Sequence, residues 1–306
     1  MNLLNQTYYK ARTFIYRNAR PLELALWKYH FENGSKEEVL HALSFFQNED
    51  GGFGHALEAD SWNPNSVPMQ TWTATEILRE IDFTDAEHPL VQGILKYLES
   101  GQDFDGHFWY AAVPGNNDYP HAPWWQTEEN SIWSYNPTAA LSGFLVRYAK
   151  EGSSAYELGC RLVKEAYDFF MHSNEKAEGV TGCYISLLAN LQRAGKTDII
   201  DLEMLAEKLK QQVKEEIWQK TEDWELKYVK RPSWFLDGKN SIFYADNKEL
   251  ADYECDFLLE TQLEDGSWNL SWSWAEYPEE WALSKNWWKA QRIIQNLLYL
   301  RGMGRF

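Results

Sequence analysis

Positive charge is scarce in this chain. Lys and Arg number 29 against 46 Asp and Glu in 306 residues, a formal net charge of −17. Nucleic-acid binding rests on cationic side chains that neutralise phosphates, so that class of partner is not expected. Anionic membrane surfaces are disfavoured for the same reason. No run of about 18 apolar residues occurs, so no membrane-spanning segment is expected. Met1 to Asn18 mixes polar and aromatic residues without an apolar centre, and no secretory signal is read there. The three cysteines, Cys160, Cys183 and Cys255, are odd in number and far apart. That spacing excludes a disulfide framework and suits thiols in a reducing cytoplasm. No C-x2-C, HExxH, P-loop or GxSxG pattern is present. No recognised motif specifies magnesium or calcium, so the cofactor stays open, as does the oligomeric state.

What the chain does have is tryptophan, 16 of them, and helical periodicity. Ser35-Lys36-Glu37-Glu38 is a capping-box pattern ahead of Val39, Leu40, Leu43 and Phe46. Ser154-Ala155-Tyr156-Glu157 repeats the device ahead of Leu158, Leu162, Val163, Tyr167 and Phe170. Asn136-Pro137 places an N-cap residue before a proline at the first helical position. Further helices are expected near 69–81, 88–99, 180–194, 201–217, 248–262 and 287–301. No run alternates as a strand does, so the fold class is all-α, organised as a single domain over 1–306.

One pattern recurs three times: Leu-x3-Gln-x2-Asp-Gly-x-aromatic. The copies are Leu43, Gln47, Asp50, Gly51, Phe53; Leu98, Gln102, Asp105, Gly106, Phe108; and Leu258, Gln262, Asp265, Gly266, Trp268. The first two glutamines lie 55 residues apart and the next two 160, close to three such periods. Physically this is a helix end: Asp-Gly makes a tight turn, Gly takes positive φ, and Gln bonds loose backbone groups. These aspartates are therefore read as structural.

The pattern resembles the QW motif of squalene–hopene cyclases and their relatives, a superfamily that includes protein prenyltransferase β subunits. That resemblance implies an α/α toroid of about six helical hairpins. It also implies an isoprenoid ligand held in an aromatic-lined central cavity. Two family signatures are absent, the DxDD acid and the magnesium-binding DDxxD. Asp103-Phe104-Asp105-Gly106 only approaches the first. Asp252-x-x-Cys255 has no downstream histidine to complete a zinc site.

Four long segments, 54–68, 107–136, 219–247 and 267–286, follow the expected turns and hold eleven of the tryptophans. Loops of that length are uncommon unless functional. Glu58 and Asp60 form a close carboxylate pair, and with His121 and Asp118 they are the candidate catalytic groups. His55, Trp62, Trp109, Tyr110, Trp124, Trp125, Trp272, Trp274 and Glu276 are the candidate substrate-binding groups. The expected arrangement is one mouth of aromatic faces with a few acids. The plain alternative is that these aromatics pack loops onto helix ends, and that His121 bonds a backbone carbonyl. Lys230-Arg231 reads as surface charge.

Three functions fit these residues. The first is a terpenoid-cyclase-like or prenyltransferase-like protein, in which π faces stabilise a carbocation and Glu58 with Asp60 supply a protonated acid. The second is a lyase or hydrolase acting on an oligosaccharide, where Trp faces stack on sugar rings and paired acids catalyse. There a calcium ion on Glu58, Asp60 and Asp118 would bridge a uronate. The third is a binding module without catalysis. A sealed apolar cavity would favour the first, an open polar groove the second.

Overall fold

Helices form where an apolar stripe recurs at helical spacing and a polar residue stops the backbone from running on. The computed structural model, which describes residues 3–173 and 179–305, is all-helical. Its α-helices are α1 (Leu3–Asn18), α2 (Pro21–Phe31), α3 (Lys36–Ser44), α4 (Pro68–Glu80), α5 (Pro89–Glu99), α6 (Thr138–Tyr148), α7 (Ser154–His172), α8 (Val180–Ala194), α9 (Leu202–Glu216), α10 (Lys248–Glu260) and α11 (Pro278–Gly302). Among the described residues, extended backbone pairs only in isolated bridges. No helix among them is long and apolar enough to cross a membrane. The six helices expected between 69 and 301 all form. The last starts earlier than its expected 287, so 278–286 is helix rather than loop.

The chain divides into two compact units. The first is Met1–Ala42 with Lys210–Phe306, and the second is Leu43–Leu209. In the first, α1 packs on α11, α2 and α10, and α11 on α2. In the second, α6 is the central helix and packs on both α7 and α8. Its sequence, TAALSGFLVRY, is apolar on every side, which suits a helix surrounded by others. All of its residues except Arg147 are buried. Close approach is allowed by glycine: a Cβ on Gly159 of α7 would stand 2.8 Å from Leu145 Cβ.

The helix starts test the capping signals. At Ser35 the box forms in full: Ser35 N donates to Glu38 Oε2 at 3.1 Å, and Glu38 N donates to Ser35 Oγ at 3.2 Å. At α7 the cap is Ser153, one residue before the expected position, and its Oγ accepts from Tyr156 N at 3.3 Å. Ser154 instead donates to the Glu99 carboxylate on α5. Replacing Ser153 with Ala should therefore cost about 1 kcal/mol in urea unfolding, the usual value of such a cap. Ser154→Ala should cost about half that or less, because its exposed partner is also served by water. Equal losses would contradict this assignment. Asn136-Pro137 is a cis peptide, and α6 begins after it, at Thr138.

The repeated turn is tied to a second helix by its glutamine in two of its three copies. Gln47 Nε2 donates to Gly51 O at 2.9 Å and to Leu90 O on α5 at 3.0 Å. Gln262 Nε2 does the same to Gly266 O and to Thr7 O on α1, both at 3.0 Å. The amide thus closes its own turn and ties it to another helix. Gln102 is exposed. In all three copies the aspartate caps the turn. Asp50 Oδ1 accepts from Gly52 N, Asp105 Oδ1 from His107 N and Phe108 N, and Asp265 Oδ1 from Ser267 N.

Candidate functional site

In the second unit, loops 54–68 and 107–136 are joined through their backbones. Trp62 N donates to Pro120 O at 2.9 Å, Ala122 N donates to Asp60 O at 2.8 Å, and Ser61 bridges His121. This brings Asp60 beside His121, as two of the candidate catalytic residues, and both are buried. Gln70 of α4 fixes the first loop from below. Its Oε1 accepts from Leu57 N at 2.9 Å, and its Nε2 donates to Asn63 O at 3.1 Å. His121 Nδ1 lies 2.6 Å from Tyr119 O. A carbonyl only accepts, so Nδ1 carries the hydrogen. The Glu58 carboxylate accepts from Asp60 N at 3.4 Å. Asp118 and Trp124 are exposed, and His55 is exposed with Nε2 on Asn48 Oδ1. Trp62 and Tyr110 are half-buried.

Trp109 and Trp125 are buried core residues, Trp109 stacked on Phe104 with ring centroids 4.7 Å apart. Trp125 and Glu58 line a cavity of about 10 Å³. A volume of about 10–15 Å³ holds one water, so no substrate enters there. Ser61 Oγ and Trp125 Nε1 at its wall have no protein partner, and one water has the size to serve both. The calcium site of Glu58, Asp60 and Asp118 does not assemble. Among the described residues no three His, Cys, Asp or Glu side chains converge as metal ligands, because Asp118 sits at the surface of a separate 3-10 turn, Pro114–Asp118.

The first unit holds the larger recess, about 50 Å³, enough for about four waters. Its walls come from 219–247, from the 267–272 segment, and from α10 and α11. Trp272, a candidate binding residue, lines it together with Trp224, Trp234 and Trp268. Trp274 is buried and packs on Trp281, while Glu276 is exposed outside this lining. Arg292 lies 4.8 Å from the ring centroid of Trp234 and 5.5 Å from that of Trp272. Arg231 Nε stands 3.2 Å from Glu254 Oε1. Glu254 is fully buried, and its carboxylate also accepts from Ser233 Oγ at 2.6 Å and Ser233 N at 2.8 Å.

The electrostatics follow from burial. Burial pushes the Glu254 carboxyl up, against the downward pull of Arg231 and the Ser233 bonds. Burial lowers Arg292 to about 10, with the like charge of Arg231 acting in the same direction, so Arg292 stays cationic at neutral pH. The Lys230-Arg231 pair is therefore divided. Lys230 salt-bridges Glu216 at 2.7 Å, and Arg231 is a recess residue. Arg292, Asn296 and Glu254 were missed by the sequence reading. A signal was present: each is a polar residue set into an apolar helical stripe, Ile293-Ile294-Leu297 on α11 and Ala251-Cys255-Leu258 on α10. No family model, no curated protein and no solved structure matches this chain.

Proposed function

We propose that this protein binds an oligosaccharide across the mouth of the tryptophan-lined recess of its first unit, with one substituent of a sugar ring entering it, on a scaffold of α/α hairpins of the toroid type. The observation that carries the reading is the lining itself. Indole rings stand beside guanidinium and amide groups, including Asn269 and Asn296, in an open recess. Sugars present C–H faces that suit aromatic rings and hydroxyls that suit amides. An isoprenoid chain would need a dry, apolar chamber, and a lining with two arginines supports the saccharide over it. Hydrolysis by paired acids needs two carboxyl groups about 5–10 Å apart and free to act. Glu254 is committed to Arg231 and Ser233, so binding is the better-supported activity. The toroid arrangement draws on the twice-used Gln47 and Gln262 turn, each tying a helix end to another helix.

A thermal-shift comparison tests this. Neutral and acidic oligosaccharides are set against prenyl diphosphates and neutral polyprenes, with and without divalent cations. A ligand at 100 times its Kd adds about 2.7 kcal/mol, which raises Tm measurably. Saccharides should give the shift. Stabilisation by prenyl compounds alone would overturn the reading and restore the cyclase-like one.

A further inference from the structure

The recess sets two arginines, Arg231 and Arg292, against one buried carboxylate, Glu254, which acts on both. Arg231 spends its charge on Glu254. Arg292 has no carboxylate within ion-pair distance among the described residues, and its one side-chain bond is a long one, Nη1 to Gln295 Oε1 at 3.4 Å. A guanidinium has five N–H donors, so most of this capacity is unspent. One turn along α11, Asn296 is buried, and its Nδ2 has no partner among the described residues. On the 267–272 wall, Trp272 Nε1 is likewise a donor with no partner among them. Two donors without a partner beside a guanidinium with one long bond mark a place for an acceptor-rich, negatively charged group.

We propose that the recess is a subsite for the carboxylate of an acidic sugar residue, anchored by Arg292 with Asn296 as second donor. This rests on the saccharide reading above and names the class of sugar. The charge count decides between anions. Arg231 and Arg292 against Glu254 leave one desolvated positive charge, which a monoanionic carboxylate balances. A phosphate ester near two negative charges would leave an excess buried charge. At the rim, Lys227 pairs with Asp223 at 2.8 Å, and Glu225 is exposed. Those charges stand in water and are screened. Cation–π contact with Trp234 and Trp272 holds Arg292 in place before any ligand arrives, so little side-chain freedom is lost on binding. Burial has already lowered the Arg292 pKa, and an anion in the site would raise it again.

The test compares a trimer of galacturonic acid with its fully methyl-esterified form, which keeps the rings and removes the charge. Binding is read by calorimetry and by quenching of tryptophan fluorescence. The acid should bind about 10- to 100-fold tighter than the ester, the span of a charge-assisted hydrogen bond. Arg292→Gln should bring the acid down to the level of the ester. Glu254→Gln should act in the opposite direction, raising the ratio of acid to ester affinity, because it removes the competing negative charge. Merely structural roles would not give opposite signs, and circular dichroism confirms that each variant is folded. Equal binding of acid and ester overturns the carboxylate subsite while the saccharide reading stands. A preference for the acid that survives Arg292→Gln overturns its placement in this recess. If neither trimer binds, both readings fall.

Discussion

Replacing Glu254 with Ala should cost about 3–5 kcal/mol of stability, the range seen when one member of a buried ion pair is removed. The size follows from what is left behind. Arg231 would lose the carboxylate that pairs with it among the described residues and stand beside Arg292, two cations in one recess. Ser233 N would lose its acceptor as well. Glu254→Gln should cost less, because an amide oxygen still accepts from Ser233. Urea unfolding of the three proteins measures this, and a Glu254→Ala variant as stable as the parent would mean that the pair contributes nothing.

The same residue sets a pH dependence with a definite sign. The folded protein holds the Glu254 carboxyl above its unfolded value. The folded state therefore binds this proton more tightly, and the stabilisation from it is complete below the unfolded carboxylate range. It is lost as pH rises through the raised folded value. Asp265 works the other way. Burial alone would raise it, but the Ser267 bonds and Lys289 outweigh burial and lower it. Its contribution is present above the ordinary aspartate value and is lost as pH falls through the depressed one. Glu254→Gln should remove the first slope and leave the second.

Helices were readable in the sequence because each carries its apolar stripe and stop signals locally. The shift from Ser154 to Ser153 shows the limit of that. Two adjacent serines offer the same hydroxyl, and the choice depends on Glu99 of α5, 55 residues away, which accepts from Ser154. The early start of α11 was hidden by Trp281 and the acids Glu279 and Glu280, although Pro278 at its first turn is a start signal. In the site, aromatic density pointed to Trp272 and the segment holding Trp234. Arg292 carried only a faint signal, its place beside Ile293 and Ile294 in an apolar stripe. A lone arginine on a helix reads as solvent-facing, and only the fold brings Trp234 and Trp272 against it. His121 illustrates the reverse: an imidazole in a long loop with Asp118 suggested chemistry, and its Nδ1 is held by a backbone carbonyl two residues away.

The three copies of the repeated turn should respond unequally to one substitution. Gly51, Gly106 and Gly266 all have positive φ, at 97°, 105° and 92°. An L-residue is strained there, by about 1–3 kcal/mol. What differs is the space around each. A Cβ on Gly51 would stand 2.0 Å from Gly93 O of α5, and one on Gly266 would stand 2.1 Å from Lys10 O of α1. Both obstacles are helix backbone, which cannot rotate aside as a side chain can. A Cβ on Gly106 would meet nothing within 4 Å. Gly106→Ala should therefore cost about 1–2 kcal/mol from strain alone. Gly51→Ala and Gly266→Ala should each cost about 2–5 kcal/mol, since overpacking adds about 1–3 to the strain. Thermal and urea unfolding of the three variants decide it. If all three lost the same, the glycines would be serving φ alone, and the close seating of two turns on neighbouring helices would carry no energy. The unequal result would show the motif as a docking device where helix backbone lies against it, and as a turn tied to α7 only through the Arg161 and Glu165 side chains in the second copy. That division matches Gln47 and Gln262, which reach across to a second helix, and Gln102, which is exposed.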